Sequence, residues 1–293
     1  MTDAPFTSLI DVQALRALLN ATHPPLVIDV RFDLANTSLG QEHYHSAHIP
    51  GAHYLHLDHD LSGPKQVGEV FHGRHPLPDR AAFASRIRQL GLKSGQQVVT
   101  YDGADGMYAA RLWWMLRWLG HEPVAVLDGG WAAWQAEGAG SGAAASGSGS
   151  SPAVIPEGDF IPGEALEQPW TQQELLAALG RVRLLDARAG ERFRGEVEPL
   201  DKQAGHIPGA SNRFFKSNLG ANGRFRPAAE LKAEFEAVLG GFTADQTVHQ
   251  CGSGVTACHN LLAMHHAGLR GSRLYPGSWS EWSADPRLPL ARG

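Results

Sequence analysis

His48-Ile49-Pro50-Gly51-Ala52 recurs as His206-Ile207-Pro208-Gly209-Ala210, and each copy keeps the same neighbours. Upstream, Leu26-Val27-Ile28-Asp29-Val30-Arg31 is matched by Leu184-Leu185-Asp186-Ala187-Arg188. Downstream, Asp128-Gly129-Gly130-Trp131 with Trp134 is matched by Pro276-Gly277-Ser278-Trp279 with Trp282. Three matches in one order identify a duplicated domain. Between the copies, residues 138–151 are wholly Gly, Ala and Ser, closed by Pro152. Such a stretch buries little apolar surface and reads as a flexible linker. The expected domains are 8–137 and 166–290, with the linker over 138–152.

Each half alternates short apolar runs with helical patterns. Strands are expected at Leu26–Val30, Gln97–Tyr101 and Val124–Leu127, then at Val182–Asp186, Thr247–Gln250 and Arg273–Tyr275. Helices are expected at Val12–Leu19, Arg80–Leu90 and Ala109–Leu119, then at Thr171–Leu179, Ala228–Leu239 and Ala257–Ala267. This alternation predicts an α/β fold: two tandem domains, each a central parallel sheet with helices on both faces. Ligands of such sheets bind beyond the carboxyl ends of the strands.

The chain has 293 residues, comfortable for two domains of ordinary size, with 43% hydrophobic and 19% charged residues. A net charge of −5 gives no sign of a nucleic-acid or membrane partner. No run approaches the length of a membrane span, and the N-terminus lacks a basic stretch followed by an apolar one. Two cysteines, Cys251 and Cys258, are too few for a disulfide framework and suit a reducing, cytoplasmic compartment.

Chemistry concentrates in Cys251-Gly252-Ser253-Gly254-Val255-Thr256-Ala257, at the expected end of a strand. Two glycines let the backbone curl, so that successive N–H groups and the following helix N-terminus face the sulfur. Both favour negative charge there, and the thiolate is the nucleophilic form. A buried cysteine at a Gly-rich turn is the competing reading of this loop taken alone.

Tandem halves with these repeated motifs and one Cys-led loop resemble the rhodanese superfamily, and the loop CGSGVTA resembles that of its 3-mercaptopyruvate sulfurtransferases. The resemblance implies that Cys251 takes a sulfane sulfur as a persulfide and passes it to an acceptor thiol, thioredoxin or cyanide. The donor would be 3-mercaptopyruvate or, alternatively, thiosulfate; no cofactor and no metal are implied. Residues Gly252, Gly254, Val255 and Thr256 would line the bound sulfur, and Arg192 would hold the donor's carboxylate, a task suited to a planar guanidinium. Ser253, His75 and Asp58 match the family's Ser-His-Asp relay, in which an imidazole exchanges protons near neutral pH. One departure stands out: where family members often carry a second arginine, Glu198-Pro199 is followed by Leu200, with Lys202 nearby as a point charge.

The position matching Cys251 in the first half falls on Asp102 or Gly103, depending on a one-residue gap. Neither is a sulfur nucleophile, so the first domain is expected to be silent and to complete the second domain's site. Other signals read as structure. His43, His45, His48, His53, His56 and His59 crowd one segment without ligand spacing. His48 and His206 open both repeats, which speaks for a turn role. Trp113, Trp114, Trp118 and Arg111 suit a helix core, and Cys258 a small buried hydrophobe. A cysteine phosphatase would need arginine where Ala257 stands. A non-catalytic carrier would not need the Ser, His and Asp set.

Overall fold

A computed structural model describes residues 4–142 and 156–293. They form two compact units: residues up to Leu61 with Pro78–Leu166, and Ser62–Leu77 with Glu167–Gly293. Ser62–Leu77, from the first half of the sequence, thus belongs to the second unit.

In the first unit, β1 (Leu9–Ile10), α1 (Val12–Leu19), β2 (Leu26–Asp29), α2 (Leu39–Ser46) and β3 (His53–Tyr54) come first. The hairpin β4 (Gln66–Val67) and β5 (Val70–Phe71) follows in sequence but lies in the second unit. Then come α3 (Arg80–Gln89), β6 (Val98–Tyr101), α4 (Met107–Trp118), β7 (Val124–Leu127) and α5 (Gly130–Ala136). The sheet order is β1-β7-β6-β2-β3, parallel throughout. Asp11 starts α1 by accepting the Ala14 N–H at 2.8 Å.

The second unit contains α6 (Gln172–Ala178), β8 (Arg183–Asp186), α7 (Gly190–Arg194), β9 (Ser211–Asn212) and α8 (Ala228–Leu239). It continues with β10 (Thr247–Gln250), α9 (Thr256–His266), β11 (Arg273–Leu274) and α10 (Ser278–Trp282). The sheet order β11-β10-β8-β9 is again parallel, and Pro169 bridges Leu274 where β1 would stand. Strand side chains alternate between faces. Leu184 and Val248 pack with Leu175, Trp279 and Trp282, whereas Leu185 packs with Leu231, Phe235 and Met264 of α8 and α9. The expected sheet with helices on both faces is what forms.

The three repeated motifs turn out to be one cluster. Arg31 binds both oxygens of Asp29, donates to the Ala47 carbonyl at 2.7 Å and lies 4.9 Å from the Trp131 ring. Arg188 does the same with Asp186, the Gly205 carbonyl at 2.8 Å and Trp279 at 4.9 Å. All four charged side chains are buried. A buried carboxylate must be paired, and a bidentate arginine capped by indole pairs it fully. The leading histidines are structural too: His48 stacks on Tyr44 and bonds its carbonyl at 2.7 Å, and His206 stacks on Phe193 and bonds its carbonyl at 2.8 Å.

Several boundaries differ from expectation. Val30, Gln97, Val182 and Tyr275 fall outside their strands, and α4 begins at Met107. Helix α2 carries too few apolar positions for a period to be read, and α5, α7, α10, β1, β3, β9 and the hairpin are too short to show one. Of the expected linker 138–152, residues 143–152 lie outside the described residues. Gly142 pairs with His48, as Ala291 pairs with His206, so residues 138–142 continue the first unit. Among the described residues, no helix is long and apolar enough to cross a membrane.

Candidate active site

Cys251 follows β10 directly and is buried, 2% exposed. Gln250 pairs with Asp186 in the register where Tyr101 pairs with Asp29. The Cys251 carbonyl accepts the Trp279 N–H at 3.0 Å, as the Asp102 carbonyl accepts the Trp131 N–H at 2.8 Å. The counterpart of Cys251 is therefore Asp102, not Gly103, and both loops run five residues to the next helix. They differ inside: the left-handed residue is Gly254 (φ 75°) in one and Gly106 (φ 78°) in the other.

In the first unit the Asp102 carboxylate fills its own loop. It accepts N–H groups of Ala104 at 3.2 Å, Gly106 at 3.0 Å, Tyr108 at 2.9 Å and Ala109 at 3.2 Å. Burial, then the neighbouring Asp105 carboxylate, push its pKa up to about 6 against the pull of those donors. A cavity of about 230 Å³ adjoins it, lined by Phe32, Gly40, Met107 and Tyr108 among others. Asp102→Ala leaves four aligned donors without an acceptor, and should lower unfolding stability by roughly 3 kcal/mol in chemical denaturation. Native stability in that variant would mean the carboxylate does not hold the loop.

In the second unit, α9 starts after Val255, whose carbonyl accepts the Cys258 N–H at 3.0 Å. Cys258 donates its thiol to the Gly254 carbonyl at 3.3 Å, drawing that oxygen toward α9. The two cysteines are not bonded to each other. Ser253, also buried, lies 2.8 Å by its Oγ from Nδ1 of His75. His75 arrives on Ser62–Leu77, which docks tightly. A Cβ on Gly73 would stand 2.8 Å from the Gly277 carbonyl oxygen, and the Arg74 N–H donates to Ser280 Oγ at 3.1 Å.

Two guanidinium groups stand over Gly252. A Cβ there would meet Arg74 Nη2 at 2.7 Å and Arg192 Nη1 at 3.4 Å. Arg192 is held by Glu198 at 2.7 Å and Asp201 at 3.3 Å; Arg74 also binds Asp201. Burial pushes the Asp201 carboxyl up, and the contact with Arg74 opposes it. Arg192 Nε is buried without a hydrogen-bond partner, a donor left for a ligand. The second cation beside the cysteine is thus Arg74, while Lys202 is exposed and Leu200 is half exposed. The sequence offered one signal for Arg74, its place immediately before His75.

The structure brings Cys251, Ser253, His75 and Arg192 into one unit with Gly252, Gly254, Val255 and Thr256. Asp58 belongs to the first unit, where its backbone N–H donates to His56 Nδ1 at 3.1 Å. Among the described residues, no group of three His, Cys, Asp or Glu side chains is arranged to hold a metal.

The rhodanese-like domain family matches residues 11–137 and 171–285. A protein of Pseudomonas aeruginosa named "Probable 3-mercaptopyruvate sulfurtransferase" is 48% identical, over 97% of this chain and 98% of its own. The thiosulfate sulfurtransferase of Bos taurus is 32% identical over 91% of this chain and 88% of its own. Among solved structures, a 3-mercaptopyruvate sulfurtransferase from Leishmania major is similar with a TM-score of 0.83 and 28% identity, covering 99% of this chain and 78% of that one. Matched in both halves and over nearly its whole length, the chain belongs to the rhodanese family as a two-domain sulfurtransferase.

Proposed function

We propose that the chain transfers sulfur from 3-mercaptopyruvate through a persulfide on Cys251 to a thiophilic acceptor. The observation that carries this reading is the His75–Ser253 contact at 2.8 Å, two residues along the chain from the nucleophile. Thiosulfate donation releases sulfite, already a stable anion. Mercaptopyruvate donation must break a carbon–sulfur bond and needs a relay at the departing enolate.

The step balances as follows. The Cys251 thiolate attacks the donor's thiol sulfur, and an S–S bond forms. The C3–S bond breaks, its electron pair passes into the pyruvate enolate, and the proton from the donor thiol ends on C3. Pyruvate leaves, and Cys251 holds the persulfide. Ser253 would hydrogen-bond the enolate oxygen while His75 exchanges the proton, and Arg192 with Arg74 would bind the carboxylate. Asp58 as the orienting carboxylate rests on its sequence motif alone. An acceptor thiol, thioredoxin or cyanide then attacks the outer sulfur and frees the Cys251 thiolate. The first unit, with Asp102 at the nucleophile's place, would carry no sulfur. A cytoplasmic setting is part of the same proposal.

Thiosulfate as donor is the second reading, favoured by the name of the bovine relative. The ratio of kcat/KM for the two donors tests them, with an excess for mercaptopyruvate expected. His75→Ala should lower mercaptopyruvate turnover about 100-fold, in the range of general acid–base contributions, while sparing thiosulfate turnover. Equal losses would remove His75 from the relay, and an excess for thiosulfate would reverse the assignment of donor.

A further inference from the structure

Ser278 is the one non-glycine residue with left-handed backbone among the described residues, at φ 54°. Its counterpart in the first unit is Gly130, also at φ 54°. The match is fixed by the following tryptophans, whose N–H groups bond the Cys251 and Asp102 carbonyls. Glycine adopts this conformation without penalty, whereas an L residue is strained there. In the first unit a Cβ on Gly130 would stand 2.6 Å from the Asp102 carbonyl oxygen, so that turn excludes a side chain. The second unit accepts both the crowding and the strain. Strain of this kind persists where something holds it, and it collects at functional sites.

What the side chain does there is specific. Ser278 is fully buried. Its Oγ accepts the Cys251 backbone N–H at 3.1 Å and donates to the Tyr275 carbonyl at 2.9 Å. The hydroxyl has one hydrogen, and the Tyr275 oxygen can only accept it. The lone pair facing Cys251 is therefore fixed in direction. The silent loop needs no such tie, because its own carboxylate anchors it through four N–H groups. A sulfur that must arrive and leave cannot serve as that anchor. The tie to the backbone has to come from outside the loop.

We propose that Ser278 is a positioning residue for the nucleophile, holding the backbone of Cys251 in one place whether or not its sulfur is loaded. The proposal rests on the reading of Cys251 as sulfur carrier. Ser278→Gly separates its two consequences, because it removes the strain and the hydroxyl together. We expect a melting temperature below native but above that of Ser278→Ala, because relief of the strain offsets part of the loss of two buried hydrogen bonds. We also expect kcat to fall roughly 10- to 100-fold with either donor, since small misplacements of a reacting group cost that much. KM should be unchanged, because the guanidinium groups over Gly252 are untouched. Ser278→Ala, which keeps the strain, should lose the same activity and also melt lower. Native kcat in Ser278→Gly would overturn the proposal. A melting temperature lowered as far as in Ser278→Ala, with native kcat, would make the hydroxyl a structural tie only. Activity lost in Ser278→Ala but kept in Ser278→Gly would likewise assign the effect to strain. The native chain is run alongside: if it takes no sulfur on Cys251, the functional reading itself fails and the positioning role with it.

Discussion

Cys251→Ala should transfer no sulfur and take none up. Incubated with 3-mercaptopyruvate and freed of small molecules, the native chain should gain about 32 Da, one sulfur atom, on the peptide containing Cys251. Cyanide should then remove that mass and release thiocyanate. The expectation is near-total loss because no other group on the chain fits the role. Cys258, the other thiol, is fully buried and already donates to the Gly254 carbonyl. Asp102 offers a carboxylate, which forms no persulfide. Cys258→Ala serves as the control and should keep the mass gain, with some loss of rate because Gly254 loses a tether. Sulfur recovered on Cys258, or retained by Cys251→Ala, would move the carrier elsewhere.

The duplicated fold was legible because its three repeated motifs are physically one object. Asp29, Arg31 and Trp131 meet in one buried cluster with the turn before His48, and Asp186, Arg188 and Trp279 repeat it. No aspartate or arginine of these pairs can change alone without leaving a buried charge unpaired, and the tryptophans cover the guanidinium groups, so the pattern shows in a single sequence. The Cys251 loop was legible for a similar reason, since its glycines and thiol are adjacent. Arg74 was not. Its partners Asp201 and Gly252 lie far along the chain, and nothing local in Gly73-Arg74-His75 says that this segment docks on the second unit. The choice between Asp102 and Gly103 was also beyond the sequence. The two loops have equal length and differ only in which position turns left-handed, so a gap placed by residue similarity misleads. Helix α2, rich in polar residues and with Gly40 its one buried position, offered no apolar period.

The guanidinium fork gives the other large effect, and Gly252 is the cleanest place to probe it. Replacing Arg192 by Met should lower kcat/KM for mercaptopyruvate by roughly 10- to 150-fold, the loss of one or two charge-assisted hydrogen bonds to the donor's carboxylate. Arg74→Met alone would leave Asp201 only its 3.3 Å contact with Arg192, so the informative variant is Arg74→Met with Asp201→Asn, which removes both charges of the pair. Gly252→Ala changes no charge at all. Gly252 has no left-handed backbone, and the atoms its Cβ would meet are the ends of the Arg74 and Arg192 side chains. Those ends can shift, so the melting temperature should hold. They cannot shift without leaving the place where the carboxylate would bind, so KM should rise about 10-fold or more. A KM unchanged in both Gly252→Ala and the Arg74–Asp201 double variant would remove Arg74 from the site and leave Arg192 to bind the carboxylate alone. A rise in KM for mercaptopyruvate in both, with persulfide still formed on Cys251 at saturating donor, would show two cations acting where the Leu200 loop supplies none.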